Sequence, residues 1–174
     1  MTNNQAARAR LHEALTLHAA ERLEEALAAA RDALRLDPTL GEAHAYIGNT
    51  LVTRRRAFDE GIAALQQAVR LLPGDPGVWY TLGWCQEFAA NALAHPRTSR
   101  REAALTLTSD QLYAAARVSM LRALSLDPED GLKGDIEDIL DVLAKESGVP
   151  WTLDEVRPGE GPPKGGSRAA PAAG

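Results

Sequence analysis

The side chains with the chemistry to attack or activate a substrate are few: four histidines and one cysteine in 174 residues. Zinc ligation from a single helix needs two histidines four residues apart. In the segment HEALTLH, His12 and His18 are six apart, which turns them about 240° from one another around a helix. They face different ways. His44 and His95 have no companion ligands nearby in sequence, and each is expected to be an ordinary surface or interface histidine. Cys85 has no base that the sequence can pair with it, and beside Trp84 on a packed helix it reads as a quiet buried thiol. The segment GEGPPKGG, beginning at Gly159, lacks the Gly-Lys-Ser/Thr order, a preceding strand and a following helix, so it makes no phosphate loop. The expectation is a protein that is not an enzyme, with no catalytic residue, no metal site and no cofactor.

Composition narrows the partners. Helix-favouring Ala and Leu dominate the apolar share, so the chain should be all-helical, and its length suffices for one domain with a proper core. Aromatic residues make up only 5%, and a net charge of -5 offers no basic face for nucleic acid. A single cysteine excludes an internal disulfide framework. The opening MTNNQAARARLHEAL has no continuous apolar core of signal-peptide type, and no later stretch is apolar for long enough to insert in a membrane. A cytoplasmic, soluble protein is expected.

The elements that would position a binding surface announce themselves as a repeat. ALRLDP (Ala33 to Pro38), AVRLLP (Ala68 to Pro73) and ALSLDP (Ala123 to Pro128) write the end of a helix three times, with the prolines 35 and 55 residues apart. Seven residues before Ala33, Ala68 and Ala123 stand the small residues Ala26, Gly61 and Ala116. Seven residues are about two helical turns, so each small pair lies on one face and admits a neighbouring helix. Further upstream, Ile47-Gly48 and Leu82-Gly83 match one another, with Glu13-Ala14 at the corresponding place in the first unit.

On these residues the chain resembles the tetratricopeptide repeat, whose first helix opens on Trp-x-x-Leu-Gly, here Trp79, Leu82 and Gly83, and whose unit closes on proline after about 34 residues. The resemblance implies three helix-turn-helix units, at about 7–40, 41–75 and 76–128, stacked in a right-handed superhelix whose first helices line a concave groove. It places Leu11, Leu15 and His18 of the first unit on that groove, Ala45, Asn49 and Val52 of the second, and Tyr80, Trp84, Glu87 and Phe88 of the third. Trp79, Leu82, Gly83 and Gln86 would pack within the repeat. Such a groove is mainly apolar and aromatic, with Asn49 as an amide able to pair with the backbone of an extended peptide. Tyr80, Trp84 and Phe88 could instead be covered by the inserted hairpin, by the C-terminal helix, or by Trp151 and Leu153 folding back. Some family members grip the carboxylate of chaperone tails with a Lys and an Asn at positions held here by Leu11 and Leu15, so that clamp is absent.

The third unit exceeds the usual length by about 21 residues, with the insertion at about 89–110. Pro96 breaks the first helix near His95, Ser99 and Glu102 make a new capping box, and Arg97, Arg100 and Arg101 lie near the tip of a lengthened hairpin. The arginines are either a secondary docking site for an acidic partner or a solvated cluster on a tolerated insertion. Thr39 with Glu42 predicts a capping box for the second unit, and Asp75-Pro76 an N-cap for the third. Ile136, Ile139, Leu140 and Leu143 predict a capping helix at about 130–146, ending at Ser147-Gly148, within a single domain at 1–150. Residues 151–174, rich in Pro, Gly and Ala, are expected to be mostly a disordered tail.

The function these readings favour is a protein interaction module, an adaptor, scaffold or chaperone-like protein, holding a peptide segment of another protein in the groove. The alternatives are a self-associating structural protein, hence a homo-oligomer, and a bacterial secretion-type cytoplasmic chaperone. The chain looks like the latter in size, acidity and three-repeat plan.

Overall fold

The computed structural model describes residues 2–95 and 106–155; the predicted Ser99–Glu102 capping box, Arg97, Arg100, Arg101 and residues 156–174 lie outside the described residues. Among the described residues there are seven α-helices and no strand. Internal contacts divide the chain into two compact units, with the boundary in sequence between Pro73 and Gly74.

The first unit holds two helical hairpins. α1 (Asn3–Ala19) opens on a capping box in which Thr2 Oγ1 accepts from the Gln5 amide and Gln5 Oε1 accepts from the Thr2 amide. It turns through Glu21, left-handed at φ 60°, into α2 (Leu23–Leu36). The second hairpin begins with α3 (Gly41–Thr50), whose end widens into a π-helical turn over Leu51–Arg55. A left-handed Arg56 at φ 54° then reverses the chain into α4 (Phe58–Leu71). Both hairpins therefore close on one left-handed residue, in each case a non-glycine.

Within each hairpin the small residues of the repeat set the approach of the helices. Ala14 and Ala26 are both fully buried in the first. In the second, a Cβ on Gly48 would fall 2.6 Å from the Gly61 carbonyl oxygen, and one on Gly61 would fall 2.8 Å from the Gly48 oxygen. α3 and α4 meet backbone against backbone there. Leu27, Ala30, Ile47 and Leu51 join Ala14 in one apolar cluster, while Ala7, Ala33, Leu40 and Ala43 form a second.

The second unit begins at α5 (Pro76–Ala94), and its start follows the sequence closely: Asp75 Oδ1 accepts from the amides of Gly77 and Val78 at 2.8 and 3.2 Å, with Pro76 in the first turn. α6 (Ser109–Leu124) starts on a Thr108/Gln111 capping box and pairs with α5. α7 (Asp130–Ser147) packs on α6 and stops at Gly148, whose φ of 69° suits glycine. The core joins Met120, Leu121 and Leu124 of α6 to Ile136 and Leu140 of α7. It also takes in Trp151, which with the short 3-10 turn Leu153–Glu155 belongs to the folded unit rather than to a disordered tail.

Two local expectations give way to competing hydrogen bonds. Thr39 does not cap α3: its amide and hydroxyl donate to Asp37 Oδ1 at 3.0 and 2.6 Å, so Leu40 becomes the capping residue without a side-chain bond. Glu42 instead pairs with Arg8 of α1 at 3.1 Å. α2 and α4 stop just before Pro38 and Pro73, but α6 ends earlier, at Leu124, because Leu126 and Asp127 donate to the carbonyls of Ala123 and Leu124 at 3.2 and 3.3 Å.

Candidate binding surfaces

In the first unit, α1 and α3 lie side by side, tied by the Arg8–Glu42 ion pair at one end and by a 3.0 Å hydrogen bond between His18 Nδ1 and the Tyr46 hydroxyl at the other. The His18 and Tyr46 rings meet edge to face with centroids 5.6 Å apart. Burial pushes the Tyr46 phenol above its ordinary pKa. Between these ties stand Leu11 and Leu15 of α1 and Ala45 of α3, and Asn49 follows one turn beyond Tyr46. Leu15 is 50% exposed, a large apolar side chain left half in water. Asn49 is exposed, and Ala45 is half-buried. Leu11 is half-buried against the cluster of Ala7, Ala33, Leu40 and Ala43.

Val52 does not belong to this surface. It is fully buried, and its Cγ2 lies 2.7 Å from where a Cβ on Gly61 would stand. The missing side chain of Gly61 leaves a notch, and Val52 fills it where the helix has begun to widen out of the regular 100° register. The neighbouring arginines serve the fold: Arg55 pairs with Glu24 of α2, and the Arg56 guanidinium lies over the Phe58 ring at 5.1 Å.

The four predicted groove residues of the second unit are brought together on α5, but in a different setting. Tyr80 and Trp84 are half-buried against the cluster formed by α6, α7 and Trp151. Trp84 stacks on Phe88 with centroids 5.6 Å apart. Burial, and then the charge of Asp135 on α7, push the Tyr80 phenol up. Burial also raises the Glu87 carboxyl, against the lowering effect of the amide that Asn91 donates to it. Gln86, placed by the sequence inside the repeat, is buried and accepts from Ser119 Oγ at 2.8 Å. The same helix carries Cys85, whose thiol burial pushes up to about 12, which leaves it unreactive.

A cavity of about 470 Å³ opens between the start of α6 and the end of α7, and none of its described lining residues is one that the sequence analysis singled out for binding. α6 contributes Asp110, Tyr113, Ala114 and Arg117 to its wall. Leu143, Glu146 and Ser147 of α7, followed by Val149, complete it. Arg117 is held on every side: it donates to Glu155 at 3.1 and 2.7 Å and to the carbonyls of Val149 and Pro150 at 3.0 and 2.7 Å. These bonds hold the Glu155 carboxyl below its ordinary range. Trp151 anchors the same segment, donating its indole N–H to Asp141 at 2.8 Å. The signal for this arrangement was an arginine inside the apolar run AAARVSM, a position that needs partners, but its partners lie more than 30 residues away in sequence.

Among the described residues no three metal-ligating side chains gather, and no helix is long and apolar enough to cross a membrane. No family model matches the chain. No curated protein sequence matches it either.

Proposed function

We propose that the helical hairpins are tetratricopeptide-type repeats and that the protein is a non-enzymatic interaction module, binding an extended peptide segment of a partner along the α1–α3 face. The observation that carries this reading is Leu15, half exposed between the Arg8–Glu42 and His18–Tyr46 ties, with Asn49 exposed on α3 one turn beyond Tyr46. Leu15 and Leu11 supply apolar contact, Asn49 can both donate to and accept from a peptide backbone, and the two ties hold the helices still before binding, which lowers the entropic cost of association. The small-residue crossings of Gly48 with Gly61 and Gly83 with Ala116, and the full burial of Ala14 and Ala26, support the family reading. Tyr80 and Trp84 of α5 are the weaker candidates because they are already half-buried against the cluster of α6, α7 and Trp151.

The test is affinity capture from native extract with wild type and with a Leu15→Asp/Asn49→Asp variant whose circular dichroism is unchanged. A protein recovered by wild type and depleted at least tenfold by the variant is expected, since a buried anchor contributes on the order of 2 kcal/mol. The same proteins recovered equally by both would overturn the reading. Recovery of the chain itself, with a mass in light scattering that rises with concentration, would replace it with self-association.

A further inference from the structure

The cavity between α6 and α7 joins an apolar wall to charge of one sign. Arg117 is its one cation among the described lining residues, and that charge is already matched by Glu155 and by the carbonyls of Val149 and Pro150. Asp110 and Glu146 stand on the same wall, and among the described residues neither side chain has an ion pair or a hydrogen bond. Asp110 lies in the first turn of α6, where the helix dipole suits an anion, but Glu146 lies in the last turn of α7, where the carbonyl end opposes one. A carboxylate at the wrong end of a helix is a local cost that a bound cation would remove.

Tyr113 senses both carboxylates: burial first, and then the charges of Glu87, Glu146 and Asp110, raise its phenol. Its hydroxyl donates to Asn91 Oδ1 at 2.8 Å, which fixes the ring on the wall. Ala114, Leu143 and Val149 add saturated surface, and the volume of about 470 Å³ is that of a small-ligand site. Carboxylates beside aromatic and saturated surface match an ammonium group carried on an aliphatic chain, whose methylenes cover the apolar wall while the charged end meets the acids. We propose that the cavity binds an aliphatic primary amine, its ammonium at Asp110 and Glu146 and its methylene chain along Ala114, Leu143 and Val149. Such an amine reaches the protein either free or as the lysine side chain of another protein, and the chemistry that recognises it is the same. This surface lies in the second unit, so its failure would leave the reading of α1 and α3 untouched.

The experiment is 15N NMR of the full chain at neutral pH and constant ionic strength, titrated with n-pentylamine, with Nα-acetyl-lysine methylamide, and with pentanol as the uncharged control. Saturable shifts of the Tyr113, Ala114, Glu146 and Ser147 amides are expected with an amine and not with pentanol. A response to pentylamine alone assigns the site to a free amine, whereas a response to the lysine derivative shows that the lysine of a partner protein fits. Asp110→Asn/Glu146→Gln, with circular dichroism unchanged, should weaken binding by about tenfold or more, the size of a lost charge-assisted hydrogen bond. Asp138→Asn, an exposed carboxylate of α7 outside the lining, should not. No saturable shift with either amine, equal shifts with pentanol, or equal weakening by Asp138→Asn would overturn the proposal.

Discussion

The middle of the first helix of a hairpin meets opposite fates in the two units. On α1 and α3 the matching positions are Leu15 and Asn49, one half exposed and the other exposed, while on α5 the position is Trp84, half-buried against the cluster formed by α6, α7 and Trp151. The packing inside the hairpins differs in parallel. α3 and α4 touch through the backbones of Gly48 and Gly61, whereas a Cβ on Gly83 would meet the Met120 side chain at 3.1 Å and the Ala116 carbonyl oxygen at 3.2 Å. One pattern of small residues therefore serves a hairpin that leaves its outer face open and another that recruits a further helix and an indole to cover its own. An aromatic residue at that position creates apolar area that the chain must hide, and leucine or asparagine creates much less.

The largest expected effect attacks the cover. Trp151→Ala removes a buried indole and its bond to Asp141 and should cost about 3 kcal/mol or more in urea titration followed by tryptophan fluorescence. A loss well below that size would mean that the cluster against which Trp84 packs depends little on Trp151.

Next in size is the contrast between the glycines. Gly48→Ala and Gly61→Ala should each cost on the order of 2 kcal/mol, because backbone must move to admit the methyl group. Gly83→Ala should be nearly neutral, since the flexible Met120 can yield and alanine gains about 1 kcal/mol of helix propensity. Equal costs at Gly48 and Gly83, read from circular dichroism melts in urea, would erase the distinction between the hairpins.

The smallest effect is electrostatic. Glu155 titrates below its ordinary value in the folded chain, so its ion pair stabilises the fold above about pH 4.5 and is lost as the pH falls through the lowered folded value. Glu87 is shifted the other way by burial, so its charge opposes folding at neutral pH and protonation relieves it. Glu155→Gln should thus cost up to about 1 kcal/mol at neutral pH and progressively less as the pH falls toward 3. Glu87→Gln should be neutral or stabilising. Melts at the two pH values check both signs.

Much of the fold was legible because it was written in local signals that no competitor contested. Asp75-Pro76, Gly148 and the Ile136–Leu143 stripe each needed only their own helix, and α5 and α7 begin and end where those residues place them. Gly48 and Gly61 were legible as small positions of the repeat, but their meeting backbone to backbone was not, because it depends on how two helices cross. Thr39 was misread because a neighbouring aspartate offered its amide and hydroxyl an equally local partner. Val52 was misread because its burial depends on a notch in another helix, which a helical wheel cannot contain. The α6–α7 cavity was illegible for a related reason: Arg117, Val149 and Glu155 meet only after two helices and a turn have folded.

The most direct test of the difference between open and covered faces is amide hydrogen exchange of the full chain with and without the partner recovered by wild type. New protection should fall on the turns of α1 around Leu15 and of α3 around Asn49, with α5 around Trp84 unchanged. Protection gained on α5 while α1 and α3 exchange as before would contradict the account, and would show that the partner displaces the cover to reach the aromatic residues.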